Sequence, residues 1–299
     1  MDWAKDAWFR KCLGGAAVRL MAVQFKCKQS LRSEDALEIR SWAVQTDKSS
    51  QGWPKPSLEA MQIANSTFRT VHYLRHNSRR QEHLASLGLE LRGRSVLEVG
   101  AGVGDHTTFF LDRDCSVVSV EPVAANCELF NIAMIAHRES GYEGAEHSTL
   151  IHSDVESLDR CLNEMFDVVY CYGLLYHVEN PEAALVRMAR RCKNLFLLET
   201  CVSFGNEQAI NPISESKSPS QAFHGVGCRP TRPWIFNQLK QLFGNVYAPR
   251  TQPAHEEFPL DWTSPLPPGR LTRAVFVAAR EPIVNPLLLD HLPDRQDLA

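Results

Sequence analysis

The segment VLEVGAGVGDH at residues 96–106 constrains this chain more than any other. An apolar, strand-like run passes through Gly100, Gly102 and Gly104 into a helix-forming stretch. Glycine tolerates positive φ and carries no Cβ, so a strand, tight turn and helix of this kind let the backbone approach a ligand closely. The carboxyl end of the first strand in an open α/β sheet is where such ligands sit.

The surrounding pattern supplies the sheet. From residue 94 onward, β-rich runs alternate with helix-like segments, which predicts parallel strands with helices on both faces. Strands are expected at 95–99, 116–120, 149–152, 167–171 and 194–199, and helices at 106–111, 123–137 and 181–191. Pro181 suits a first helical turn, where its missing N–H costs little. Beyond Glu199, residues 204–230 are rich in Gly, Ser, Pro and Asn, which predicts a long insertion or lid. A helix at 232–243, a short strand near Val246, a Pro-rich stretch at 249–269 and a last strand at 271–278 follow. The expected organisation is an N-terminal extension (1–56), a helical cover (57–93), an α/β domain (94–280) with a lid insertion at about 200–230 and a Pro-rich loop at 249–269, and a loosely packed tail (281–299).

Composition narrows the partners. The 299 residues carry 32 basic and 35 acidic side chains and are 44% hydrophobic, which excludes disorder and a globally basic, duplex-coating protein. Residues 1–94 hold 16 Lys or Arg against 9 Asp or Glu, so a basic flank precedes an acidic body. That flank suits an anionic partner or, equally simply, a solvated Arg-rich helical face. The nine cysteines are odd in number and form no C-x-x-C pair, which argues against a disulfide framework or zinc ribbon. Residues 13–25, broken by Arg19, are too short to cross a bilayer. A cytoplasmic protein without membrane partners is expected.

Electrostatics separates two ligand classes at the glycine turn. A dinucleotide places its pyrophosphate over the helix N-terminus and wants no carboxylate there. Here Asp105 follows the third glycine and Glu98 precedes the turn, an arrangement that favours the ammonium and sulfonium of S-adenosylmethionine. Glu121, ending the second strand, can accept hydrogen bonds from ribose hydroxyls. Asp154 ends the third strand where an adenine amino group would lie, with Val155 available to pack on the ring.

Four segments in order, VLEVGAGVGDHT, VVSVEP, HSDVES and FDVVYCYGLLYHVENPEAAL, resemble the motifs of class I S-adenosylmethionine-dependent methyltransferases, notably bacterial enzymes acting on small molecules or glycans. The resemblance spans residues 96 to about 198. It implies a Rossmann-like seven-stranded sheet, mostly parallel with one antiparallel strand, and S-adenosyl-L-methionine as cofactor. Glu98 and Gly100 would contact the methionine portion, with Tyr172 nearby, while Gly102 and Gly104 shape the turn. Glu121 would bind ribose, and Asp154 and Val155 would frame adenine. Taken singly, Gly104 is also a packing glycine, Asp105 a helix cap and Glu121 a surface turn residue.

For the acceptor, His177 is the candidate base, since an imidazole titrates near neutral pH; ordering of its loop is the competing role. Tyr176, Arg229, Trp234 and His255 offer stacking and hydrogen bonding to a polar ligand, as sugar recognition requires. Trp234 also suits a loop-packing role. His255-Glu256-Glu257 lacks a partner histidine at ligand spacing, so no metal is expected. These features point to O-methylation of a small polar, sugar-containing or secondary-metabolite substrate. The LLYH element at 174–177 also resembles enzymes that modify the tRNA wobble uridine, which keeps RNA as an alternative acceptor. A non-catalytic binding protein that retains the cofactor fold is the third reading.

Overall fold

The computed structural model describes residues 55–215, 225–265 and 269–299. The expected extension at 1–56 therefore falls almost wholly outside the described residues, as does part of the expected lid.

Two helices come first, α1 (Leu58–Phe68) and α2 (Val71–Ser86). Each begins at a hydroxyl cap: Ser57 accepts from the Ala60 amide and Thr70 from the Tyr73 amide, both at 3.1 Å. The chain then runs through β1 (Ser95–Val99), α3 (Thr107–Leu111), β2 (Ser116–Glu121), α4 (Ala124–Glu139), β3 (Ser148–His152), the single turn α5 (Leu158–Cys161) and β4 (Phe166–Tyr172). Next come α6 (Pro181–Arg190), β5 (Cys192–Cys201), the short strands β6 (Pro212–Ser214) and β7 (Val226–Cys228), and α7 (Arg232–Phe243). The chain closes with β8 (Asn245–Pro249), β9 (Thr251–Gln252), β10 (Arg273–Ala279), β11 (Leu288–Leu289) and β12 (Asp297–Leu298).

The main sheet has the order β11-β8-β10-β5-β4-β1-β2-β3. Pairing is parallel from β3 through β5, whereas β10 runs antiparallel to both β5 and β8. This is the expected seven-stranded arrangement with a two-residue strand, β11, added at its edge. Both faces are covered. Leu97 and Val99 of β1 point into one core cluster with Leu198, Ile235 and Phe276, while Val96 joins Phe110, Tyr170 and Val275 on the opposite face. Alternation is thus present in direction but not in polarity, as a doubly covered strand requires. Phe276 is fully buried, and each such side chain contributes about 1.5–3 kcal/mol.

After β3 the chain returns to the other side of β1 to form β4. Strand order reverses there, which opens a crevice at the carboxyl ends of β1 and β4. Helix α2 lies across that crevice.

The expectation of a loosely packed tail is corrected. Leu288 and Leu289 pair with Pro249 and Ala248, and Asp297 pairs with Thr251. Gln296 is buried; its Oε1 accepts from Trp262 Nε1 at 2.7 Å and from Gln252 Nε2 at 3.0 Å. Backbone pairing and one buried amide anchor this segment, and neither leaves a hydrophobic period in the sequence. The seven described cysteines are free, and all except Cys161 are buried.

Candidate active site

The crevice is walled by the turn after β1, the ends of β2, β3 and β4, and helix α2. Glu98, Gly100, Gly102, Glu121, Asp154, Val155, Tyr172, Tyr176 and His177 all line it, so most of the expected site residues converge. Gly100 has φ +82°, and a Cβ there would stand 2.9 Å from Cβ of Leu174. The close approach of two backbone segments is what requires glycine at this position.

Glu121 holds the turn from below. Its Oε2 accepts from the Gly102 amide at 2.9 Å, and its Oε1 accepts from the Val123 amide at 3.1 Å and from Asn126 Nδ2 at 2.9 Å. Glu98 is buried and accepts from Thr107 Oγ1 at 2.5 Å and Ser119 Oγ at 2.8 Å. Burial pushes its carboxyl up to about 7, against the pull of those two hydroxyls. Asp154 Oδ1 accepts from the Ser157 amide at 2.7 Å, so one of its oxygens is engaged in a local turn.

Two free carboxylates do not flank the glycine turn. Asp105 is paired with Arg69 at 2.8 Å and accepts from Asn77 Nδ2 at 3.3 Å. The charge that disfavours a pyrophosphate is therefore smaller than the sequence suggests, the more so because the Glu98 carboxyl is pushed up to about 7.

Sequence reasoning expected a helical cover here but not which side chains of α2 enter the crevice. Its buried positions are His76, Asn77, Arg80, His83 and Leu84, a face that is polar where a packing helix is usually apolar. Tyr73, His76, Asn77 and Arg80 line the crevice. The spacing of His76, Arg80 and His83 at i, i+4 and i+7 was the available signal. Arg80 does not belong to a solvated basic face: it donates to Glu199 at 2.9 Å, and both side chains are buried. Glu199 also accepts from Arg273 at 3.0 Å, and Arg273 donates onward to Tyr176 Oη at 3.1 Å and to Glu257 at 2.6 Å. Its neighbour Arg79 pairs with Glu82 on the surface, as the simpler reading of the flank has it.

At the other end of the crevice, His177 Nδ1 stands 2.5 Å from Oε2 of Glu215, whose Oε1 accepts from Arg229 at 3.0 Å. The Arg229 guanidinium lies 4.9 Å from the Tyr176 ring centroid and donates to the Tyr176 carbonyl at 3.1 Å. Burial lowers the His177 pKa; the hydrogen bond to Glu215 opposes this but does not outweigh it. With Glu215 as a carboxylate, the neutral ring places its proton on Nδ1 toward that oxygen and its lone pair on Nε2.

Four expected residues lie outside the crevice lining; one of them, Arg229, reaches it only through Tyr176. Gly104 is outside the crevice lining; a Cβ there would meet Phe130 Cδ2 at 2.7 Å, so its role is packing. Trp234 is part of the core beside Ile235 and Leu239. His255 is buried behind α2, 4.8 Å between ring centroids from His76. The partner histidines that spacing along the chain did not supply to His255 come from α2.

The model of a methyltransferase domain family matches residues 71–246, more than half of the chain and the whole run from α2 into β8. The chain belongs to the class I S-adenosylmethionine-dependent methyltransferases. Among curated members of this family, the chain is 28% identical over 131 residues to a ubiquinone biosynthesis O-methyltransferase of Actinobacillus pleuropneumoniae, covering 44% of this chain and 52% of that one. It is 28% identical over 211 residues to a tRNA U34 carboxymethyltransferase of Vibrio campbellii, covering 64% and 62%. The chain therefore spans about half the length of the curated relatives it matches. The N-terminal domain of EvdMO1, solved with SAH and D-fucose, superposes with a TM-score of 0.51 at 19% identity over 82% of this chain and 97% of that one, a likeness of fold. No described helix of this methyltransferase is long and apolar enough to cross a membrane.

The crevice residues fit the family's cofactor. The glycine turn leaves room for close backbone approach, Glu98 offers a carboxyl that a cationic group would hold ionised, and the buried Tyr172 hydroxyl lacks a hydrogen-bond partner among the described residues. A buried hydroxyl left open in this way is expected where a ligand completes it.

Proposed function

We propose that this methyltransferase methylates a hydroxyl oxygen of a small polar acceptor, of the sugar-containing or secondary-metabolite kind. Bound S-adenosylmethionine supplies a methyl carbon already activated for displacement. Glu98 and Gly100 hold its methionine end, Gly102 shapes the turn, Glu121 faces the ribose, Asp154 and Val155 frame the adenine, and Tyr172 closes the floor. What remains for the protein is alignment, exclusion of water and removal of the acceptor proton.

The observation that carries the reading is the His177–Glu215 pair at the crevice wall. Glu215 fixes the ring and its tautomer, so Nε2 is left to take the hydroxyl proton, and Glu215 stabilises the imidazolium that results. Arg229 beside Tyr176 supports the same loop and supplies a cation–aromatic surface next to the acceptor. The test is a pH–rate comparison of the wild type with His177→Gln on a pool of glycosides and phenolic metabolites. Loss of the acidic limb in the variant supports the base; equal rates and profiles remove it.

An RNA acceptor is the second reading, favoured by the relatives named as tRNA U34 carboxymethyltransferases and by the excess of basic residues over 1–94. Transfer to a tRNA pool, with binding that weakens steeply as salt rises, would establish it in place of the small-molecule acceptor. Cofactor binding without turnover on either pool would leave the binding-protein reading.

A further inference from the structure

A second cluster lies beside the crevice, between α2 and the 249–269 loop, and the proposed methyl transfer uses none of its side chains. His72 and His76, one helical turn apart, face His255, Glu256 and Glu257 of the 249–269 loop. His255 stands 5.2 Å from His72 and 4.8 Å from His76 between ring centroids. Nε2 of His76 and Nε2 of His255 are buried, and neither has a hydrogen-bond partner. Two unsatisfied ring nitrogens at one place are unusual in a folded interior and call for a ligand.

The spacing fits an ion. Around a tetrahedral metal with bonds of about 2.1 Å, ligand atoms stand roughly 3.4 Å apart. Within the set, His76 Nε2 is 3.8 Å from Glu257 Oε2. His76, His255 and Glu257 each place a ligand atom within 4.8 Å of the others. We propose that these three residues bind a divalent first-row transition ion such as zinc or cobalt.

The overlapping set of His72, His255 and Glu256 is the weaker holder. Glu256 is already tied to Arg75, and both His72 and Glu256 are half-exposed. Glu257 is instead anchored from behind by Arg273, whose Nε donates to Oε2 at 2.6 Å; an outer partner of this kind fixes a ligand carboxylate. Ligation through His255 Nε2 places the ring proton on Nδ1 and breaks the 3.3 Å contact from the Glu257 amide, a long bond that a metal–nitrogen bond readily replaces. Since His76 also lines the crevice, the ion sits in its wall. Three protein ligands leave a coordination position for water or a substrate oxygen.

The test titrates Co²⁺ into the chelator-treated full chain and follows visible d–d absorption, with Zn²⁺ as competitor. One saturable Co²⁺ per chain, displaced by Zn²⁺, is expected. Affinity should fall more than about tenfold in His255→Ala and Glu257→Gln while Glu256→Gln stays near wild type. Absence of saturable absorption in the wild type overturns the site. So does an unchanged His255→Ala, or a Glu256→Gln as impaired as Glu257→Gln. If His255→Ala does not fold, ¹⁵N imidazole spectra of the wild type decide: Zn²⁺ must shift Nε2 of His76 and His255, and unshifted signals refute the assignment.

Discussion

Glu199→Ala removes the carboxylate shared by Arg80 and Arg273. Glu199 is fully buried, and the two guanidiniums around it are only 4% and 6% exposed. After the substitution Arg273 retains Glu257, but Arg80 retains only the neutral Asn77 side chain as a hydrogen-bond acceptor. An uncompensated buried charge of this kind costs about 3–5 kcal/mol. At about 2–4 °C per kcal/mol for a domain of this size, Tm should fall by about 6–20 °C. Burial alone pushes the Glu199 carboxyl up, yet Arg273 and Arg80 outweigh it and hold its pKa below 4.5. The pair's stabilisation is therefore complete above the unfolded pKa and is lost as pH falls through the lower folded value. Urea unfolding of both proteins at neutral pH and in acid measures the gap, which should narrow in acid. A neutral-pH loss under about 1 kcal/mol would refute the view that Glu199 neutralises both arginines.

Further outcomes follow from the crevice. Glu98 has a folded pKa raised from 4.5 to about 7, so the folded state keeps a proton that the unfolded chain releases, and stability falls as pH rises through that window. Glu98→Gln abolishes this titration, and its stability relative to wild type should rise by on the order of 3 kcal/mol between pH 4.5 and 7; parallel urea profiles would contradict the assignment. Glu121→Ala deprives the Gly102 amide of its acceptor and should weaken S-adenosylmethionine binding by about 10- to 150-fold in calorimetry, with unchanged affinity removing Glu121 from the site. Gly100→Ala and Gly104→Ala should separate: both cost about 1–3 kcal/mol of stability from strained φ, but only Gly100→Ala should weaken the cofactor, and equal effects on affinity would show that Gly104 also shapes the pocket.

The parallel half of the sheet was legible because its central strands β1 and β4 are buried on both faces and chemically distinctive residues stand near the strand ends. β1 was anticipated at both ends, and α7 likewise, since Pro233 and Gly244 punctuate it. Glu98, Glu121 and Asp154 were found because each lies at or next to the carboxyl end of a strand. Residues whose partners lie far along the chain were not: Glu199 meets Arg80 across 119 positions, and His255 reaches α2 across a longer stretch still. No local period records such meetings. Trp234 misled for the opposite reason, since a tryptophan beside prolines looks the same in sequence whether it stacks on a ligand or fills the core. The tail at 281–299 was misjudged because its anchors are main-chain pairs.

The reversed direction of β10 has an architectural consequence. Strands β1 through β5 bring their last residues to the crevice, whereas β10 brings its first, so that Arg273 enters opposite Cys201 at the end of β5. The connection from Pro249 to Arg273 thus arrives at the acceptor end from outside the set of turns that hold the cofactor. The loop before β10 is thereby separated along the chain from the strand ends of the cofactor crevice, and it is tied to the sheet through Glu257 on Arg273 and Trp262 on Gln296.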